Sequence, residues 1–212
     1  MTGLALAPLS FSVLQNLVEA HADNTPSELA ENEDFWAEVR KGYTLHDEYI
    51  NLENGYYCIA PKAILDAYQE HVKQINLEGS HYLRTKWYAN RKKTAARLAQ
   101  LLGASEEEVI ITRNTTESLD LVISGLEWKT GDEAIWSVHD YGAMQDQFRL
   151  MERRYGIVNK VVEVPIHPKS DEEIVEVYRQ AITDKTRLLM VCQMINITGH
   201  VLPVRKICDM AH

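Results

Sequence analysis

Glycine-rich loops, paired cysteines and long apolar runs are all missing from this sequence. Its 10 glycines are scattered along 212 residues. Neither G-x-G-x-x-G nor G-x-x-x-x-G-K-[ST] occurs, and H-E-x-x-H and G-x-S-x-G are absent too. The 3 cysteines, Cys58, Cys192 and Cys208, are an odd set without Cys-x-x-Cys. That argues against a disulfide framework or a zinc cluster and sets a reducing, cytoplasmic expectation. His139, His167 and His200 lack metal-ligand spacing, so no metal is expected. No apolar run reaches about 18 residues, so neither a transmembrane helix nor a membrane partner is expected. Positive charge is scarce: 22 Lys and Arg against 31 Asp and Glu leave a net charge of -9, and no Lys or Arg precedes Arg40. Such a balance disfavours a nucleic-acid partner and lacks the cationic start of a secretory signal.

What is present suits one domain or slightly more, with 45% hydrophobic residues to build a core. Residues 1–45 read as an acidic helical segment. A first helix over 9–22 carries Leu14, Leu17, Val18 and His21, and Asn24-Thr25-Pro26 breaks it. A second over 27–40 carries Phe35, Trp36 and Val39. A short apolar stretch over 49–52 runs into the turn signal Glu53-Asn54-Gly55. Pro61 opens a helix with Ile64, Leu65, Tyr68, Val72 and Ile75 along one stripe. Another spans 87–102 and stops at Gly103.

From there strands alternate with helices. Strands are predicted over 109–112, 133–138, 160–166 and 187–193. Helices are predicted over 114–126, 143–155, 170–182 and 203–212. Ser170-Asp171-Glu172-Glu173 has the form of a capping box. Alternation of this kind predicts an α/β fold with a mostly parallel sheet and helices on both faces. No capping residue follows Ala211-His212, which reads as a chain cut within a crossover helix, a fragment.

Three segments after predicted strands carry candidate chemistry. In Thr112-Arg113-Asn114-Thr115-Thr116-Glu117-Ser118 a helix start bears two hydroxyls and suits a phosphate. A plain cap, Asn114 with Glu117, gives the same pattern. Tyr141, in His139-Asp140-Tyr141-Gly142, offers an aromatic plate or simply a packed loop residue. Asn196, before Ile197-Thr198-Gly199, offers an amide to a ligand or closes an Asx turn. Together a phosphate cup, a plate and an amide suit a flat phosphorylated cofactor, and the three are expected to line one cavity on one side of the sheet.

Ordered and spaced in this way, several segments resemble the class V aminotransferase family of fold type I pyridoxal-phosphate (PLP) enzymes. They are Tyr49-Ile50-Asn51-Leu52-Glu53-Asn54-Gly55, Arg97-Leu98-Ala99 with Leu102-Gly103, Thr112 to Ser118, Asp140-Tyr141-Gly142-Ala143, and Asn196-Ile197-Thr198-Gly199 with Pro203. The isopenicillin N epimerase-like and cysteine desulfurase-like branches are nearest, and the resemblance covers about residues 45–212. It implies that 46–212 is an incomplete PLP-binding large domain. Thr115 and Thr116 would bind the PLP phosphate, Tyr141 would stack on the ring, and Asn196 would bond the phenolic oxygen. Asn54 would approach the substrate. The intact protein would be a homodimeric lyase, desulfurase, epimerase or aminotransferase acting on a small amino acid. The family's Schiff-base lysine and the Asp that pairs with the pyridine nitrogen have no matching segment here. The catalytic residue is therefore unassigned, and the chain alone is expected to be inactive. The alternative is a non-catalytic α/β module that binds a phosphorylated ligand. Cys58 is expected to be a small buried apolar residue.

Overall fold

A computed structural model of the protein describes residues 12–212. The start of the predicted 9–22 helix, and the side chain of Leu14, lie outside the described residues. By its contacts the chain divides into two compact units, Met1–Val109 and Ile110–His212.

The first unit is helical: α1 (Ser12–Ala20), α2 (Pro26–Glu31), α3 (Glu33–Lys41), α4 (Lys62–Glu78), α5 (Ser80–Thr85) and α6 (Trp87–Leu102). The single helix predicted over 27–40 is two. Asn32 ends α2 and starts α3, its Oδ1 accepting the Phe35 N–H at 3.0 Å. An Asn side chain competes with the helix ladder for nearby backbone donors, and here it wins. Pro61 does open α4, and α6 ends at Gly103 with φ +67°, a left-handed cap that glycine adopts without strain. The α4 stripe of Ile64, Leu65, Tyr68, Val72 and Ile75 is exposed. Among the described residues of this unit only Ala95 and Ala99 are buried.

The second unit is an α/β sandwich. After a 3-10 turn at Glu106–Glu108 in the first unit, it runs α7 (Thr115–Gly125), β1 (Glu133–Ser137), α8 (Gly142–Tyr155), β2 (Val158–Val162), α9 (Asp171–Ala181), β3 (Thr186–Leu189) and α10 (Val204–Ala211). The sheet order is β2-β1-β3, with both pairings parallel. Ile135 sits opposite Lys160 on one edge and Leu189 on the other.

All five residues of β1 are buried, yet they serve two cores, because successive side chains leave a strand on opposite faces. Ala134 and Trp136 pack with Ile123, Trp128, Met144, Phe148, Met151 and Ile157, under α7 and α8. Ile135 packs with Val162, Val164, Ile174, Tyr178, Ile195 and Ile207, under α9 and α10. The Trp136 and Phe148 rings lie 6.2 Å apart and nearly parallel. Asn159 accepts Trp136 Nε1–H at 3.1 Å, and buried Trp128 donates to the Ile123 carbonyl at 2.7 Å. The indole donors that burial would otherwise strand are thus paired.

Three details differ from the sequence expectation. Residues 109–112 form no strand, and Ile110 is 74% exposed. An apolar run becomes a strand only where a neighbour completes its ladder, and none lies beside it among the described residues. The strand predicted over 160–166 starts earlier, at Val158, because that residue pairs with Glu133. Ser170 precedes α9 with extended backbone but makes no side-chain cap; Glu173 instead accepts the Lys169 N–H at 2.6 Å.

One polar knot ties the amino ends of the strands. Glu133 Oε2 lies 2.9 Å from Lys160 Nζ and accepts hydroxyls from Thr183 at 2.5 Å and Thr186 at 3.4 Å. Lys160 also donates to the Ala181 carbonyl at 3.1 Å. The Thr183 bond, then the Lys160 contact, hold the Glu133 carboxyl below its ordinary value of 4.5. A lowered carboxylate pKa stabilises the fold above the unfolded-state pKa, and that contribution is lost as pH falls through the folded one. Urea unfolding of wild type should therefore weaken on acidification below the ordinary Glu range more steeply than unfolding of Glu133→Gln.

Candidate active site

The start of α7 is built from the chain's own polar groups. Asn114 is the N-cap, its Oδ1 accepting the Glu117 N–H at 2.9 Å. Glu117 reaches back past the cap and accepts the Arg113 N–H at 2.7 Å, while the Arg113 guanidinium pairs with it at 3.2 Å. That pair holds the Glu117 carboxyl below its ordinary value. It also offsets a negative charge that would repel an incoming anion. Thr112 and Ser118 hydroxyls sit 2.5 Å apart, one donating to the other, and the remaining hydroxyl proton goes to the Asn114 carbonyl oxygen, 3.2 Å from both. Thr115 and Thr116 are different. Neither hydroxyl has a partner in the protein, and both stand in the first turn, where backbone N–H groups lack helical acceptors. The cap and the anion site therefore coexist, served by different residues.

Residues 126–132 join the end of α7 to the start of β1. Tyr141 follows the carboxyl end of β1 and precedes α8, and it is 47% exposed. Asn196 follows β3, adjacent and parallel to β1. Its turn is closed by backbone, Ile195 N–H to His200 O at 3.0 Å and Gly199 N–H to Ile195 O at 2.8 Å. Gly199 takes φ +70°, and the Asn196 amide is exposed and unbonded. An Asx turn does not account for it.

A groove of about 800 Å³ runs along α7, lined by Arg113, Asn114, Thr116, Glu117, Asp120 and Ser124 among others. Of the four candidate cofactor residues it includes Thr116 alone. Asn54, in the first unit, accepts Asn51 Nδ2 at 3.3 Å within an exposed turn. Cys58 is exposed, not buried as expected: its segment has no regular structure, and neighbouring Tyr56 and Tyr57 also face outward.

Open α/β sheets bind ligands at the carboxyl ends of their strands. The Aminotransferase class-V family matches residues 58–212, well over half of the sequence. This chain belongs to the class V aminotransferase family. The isopenicillin N epimerase of Amycolatopsis lactamdurans is 27% identical over 83% of this chain and 45% of its own length. A cysteine desulfurase of Haloferax volcanii is 28% identical over 77% of this chain and 39% of its own. The chain thus spans less than half the length of these curated relatives. Among solved structures, the Escherichia coli cysteine desulfurase CsdA aligns with a TM-score of 0.66 at 24% identity, over 83% of this chain and 45% of its own. The lyase C-DES, solved with glycine covalently linked to its PLP cofactor, aligns with a TM-score of 0.63 at 22% identity, over 72% of this chain and 40% of its own. These likenesses establish a partial fold type I α/β domain, and PLP is the cofactor of the class V family.

The residues present fit that group on three observations: two unengaged hydroxyls at the start of α7 and, after the carboxyl ends of two adjacent parallel strands, an exposed ring and an unbonded amide. What sequence reading missed is beneath them. Asp140 is buried, and its Oδ2 accepts the Ser137 N–H at 2.7 Å. The local signal was a Ser three residues before an Asp at a strand end, a spacing that permits such a back-bond. For the cap itself, Asn114→Ala should cost about 1 kcal/mol, read as a lower urea midpoint without a change in slope.

Proposed function

We propose that this chain supplies the cofactor-holding part of a PLP-dependent enzyme acting on a small amino acid. Thr115 and Thr116 hold the phosphate, Tyr141 packs on the ring, Asn196 donates to the phenolic oxygen, and Asn54 approaches the substrate. PLP supplies an electron sink for carbanion chemistry. The chain's part is to bind and orient it. The α7 start offers N–H groups, two hydroxyls and a helix dipole to a dianion, with Arg113 neutralising Glu117 close by. Residues 46–212 form the incomplete large domain in this reading, and the intact enzyme is a homodimeric desulfurase, lyase, epimerase or aminotransferase. The observation that supports the reading is the set of unpartnered groups at the start of α7 and after β1 and β3, in a chain of this family. Its relatives' names, isopenicillin N epimerase and cysteine desulfurase, favour an amino-acid substrate.

Pyridoxine 5′-phosphate is the probe of choice, because its alcohol cannot form Schiff bases with surface lysines. It should bind the 212-residue chain weakly, and pyridoxine without the phosphate should bind more weakly still. Thr116→Ala should weaken the phosphate ester about fivefold, the loss of roughly 1 kcal/mol. Tyr141→Ala should weaken it by a similar factor. Equal affinity for pyridoxine and its phosphate would sink the reading. Phosphate-driven binding indifferent to Tyr141→Ala would instead fit the non-catalytic module.

A further inference from the structure

Residues 138–141 join β1 to α8 and end in Tyr141. Gln145, half-buried near the start of α8, reaches back over them. Its Nε2 donates to the Asp140 carbonyl at 2.7 Å and to the Val138 carbonyl at 3.1 Å. Its Oε1 accepts from Arg149 Nη2, one turn further along α8, at 3.2 Å. Arg149 is held in turn by Asp146 at 2.8 Å and lies over the Trp136 ring, 5.7 Å from its centroid. Only one orientation of the Gln145 amide suits these partners. Reversed, its oxygen would face two carbonyls and its nitrogen a guanidinium. Nor do these bonds cap the helix. A helix start has spare N–H groups, which need acceptors, whereas Gln145 directs its hydrogens at carbonyls that precede α8.

The grip falls where it fixes Tyr141. The Asp140 carbonyl and the Tyr141 nitrogen belong to one planar peptide unit, so holding that oxygen holds the plane from which the Tyr141 Cα leaves. On the other side, the Tyr141 carbonyl accepts the Met144 N–H at 2.9 Å and the Gln145 N–H at 3.2 Å. The turn itself is closed by the Asp140 N–H on the Ser137 carbonyl at 2.9 Å and the His139 N–H on Ser137 Oγ at 3.2 Å. With both of its peptides held, at φ -58° and ψ 131°, Tyr141 keeps only its side-chain torsions to adjust. A ring adds most to the binding of a flat ligand when its base is fixed beforehand. We propose that Gln145 is a positioning residue whose amide clasps the turn before α8 and so fixes the placement of the Tyr141 ring. What the ring then holds rests on the PLP reading; the clasp is a property of this chain's own residues.

Two variants separate the donors from the shape. Gln145→Glu keeps the size and the Arg149 partner but loses both donors, and Gln145→Leu removes the amide. Glu and Leu are good helix formers, so α8 should persist in both. Without ligand, each variant should speed amide hydrogen exchange at 137–140 several-fold and leave 148–151 unchanged. Unchanged exchange at 137–140 overturns the clasp. Binding then reads its effect on the ring. Each variant should weaken pyridoxine 5′-phosphate several-fold and leave glycerol 3-phosphate, a phosphate ester without a ring, unaffected. In a Tyr141→Ala background Gln145→Leu should add no further loss, because its effect runs through that ring. A full further loss there, or equal weakening of both esters, makes Gln145 a general support of the fold and overturns the proposal. Faster exchange in the variants, with a wild type that binds both esters alike, would fault the cofactor reading alone.

Discussion

Glu133–Ser137 is hydrogen-bonded to a parallel neighbour along each edge and covered by helices on each face. A strand buried on all sides leaves its backbone no choice of register, since a slip by one residue would exchange Ile135 with Trp136 between two differently shaped cores. The Glu133–Lys160 contact pins the amino end of this strand and Asp140 pins the other. Everything proposed about ligand binding depends on that constraint. The loop with Tyr141 leaves β1 directly, and the segment with Asn196 follows its neighbour β3. Candidate residues from these two segments follow the carboxyl ends of adjacent parallel strands.

Division of labour around α7 follows the same economy. Asn114, Arg113 and Glu117 satisfy the helix start internally, and Thr115 and Thr116 remain open. A site whose every polar group were already bonded would lose as much as it gained on taking a ligand, because net hydrogen-bond gains are small. Unengaged hydroxyls beside helix N–H groups give up only water to take a ligand.

Local punctuation was legible in the sequence. Pro61, Gly103, Asn114 and Pro203 mark helix ends because each acts through its own backbone or its nearest neighbours. Features that need a distant partner were not. Residues 109–112 have strand composition and no strand, since a ladder is a property of two segments. Asn32 split a helix that apolar spacing had joined. The four cofactor candidates could be named because their order and spacing survive in one dimension.

The central claim is that the carboxyl end of this sheet holds a pyridoxal-type phosphate ester. Amide chemical-shift mapping of the isotope-labelled chain with pyridoxine 5′-phosphate tests it most directly. The account predicts shifts concentrated in 114–117, 140–143 and 195–199, with the strand starts at 129–133 and 182–186 unmoved. Shifts clustered at those starts, or spread over surface lysines without a common end of the sheet, would contradict it.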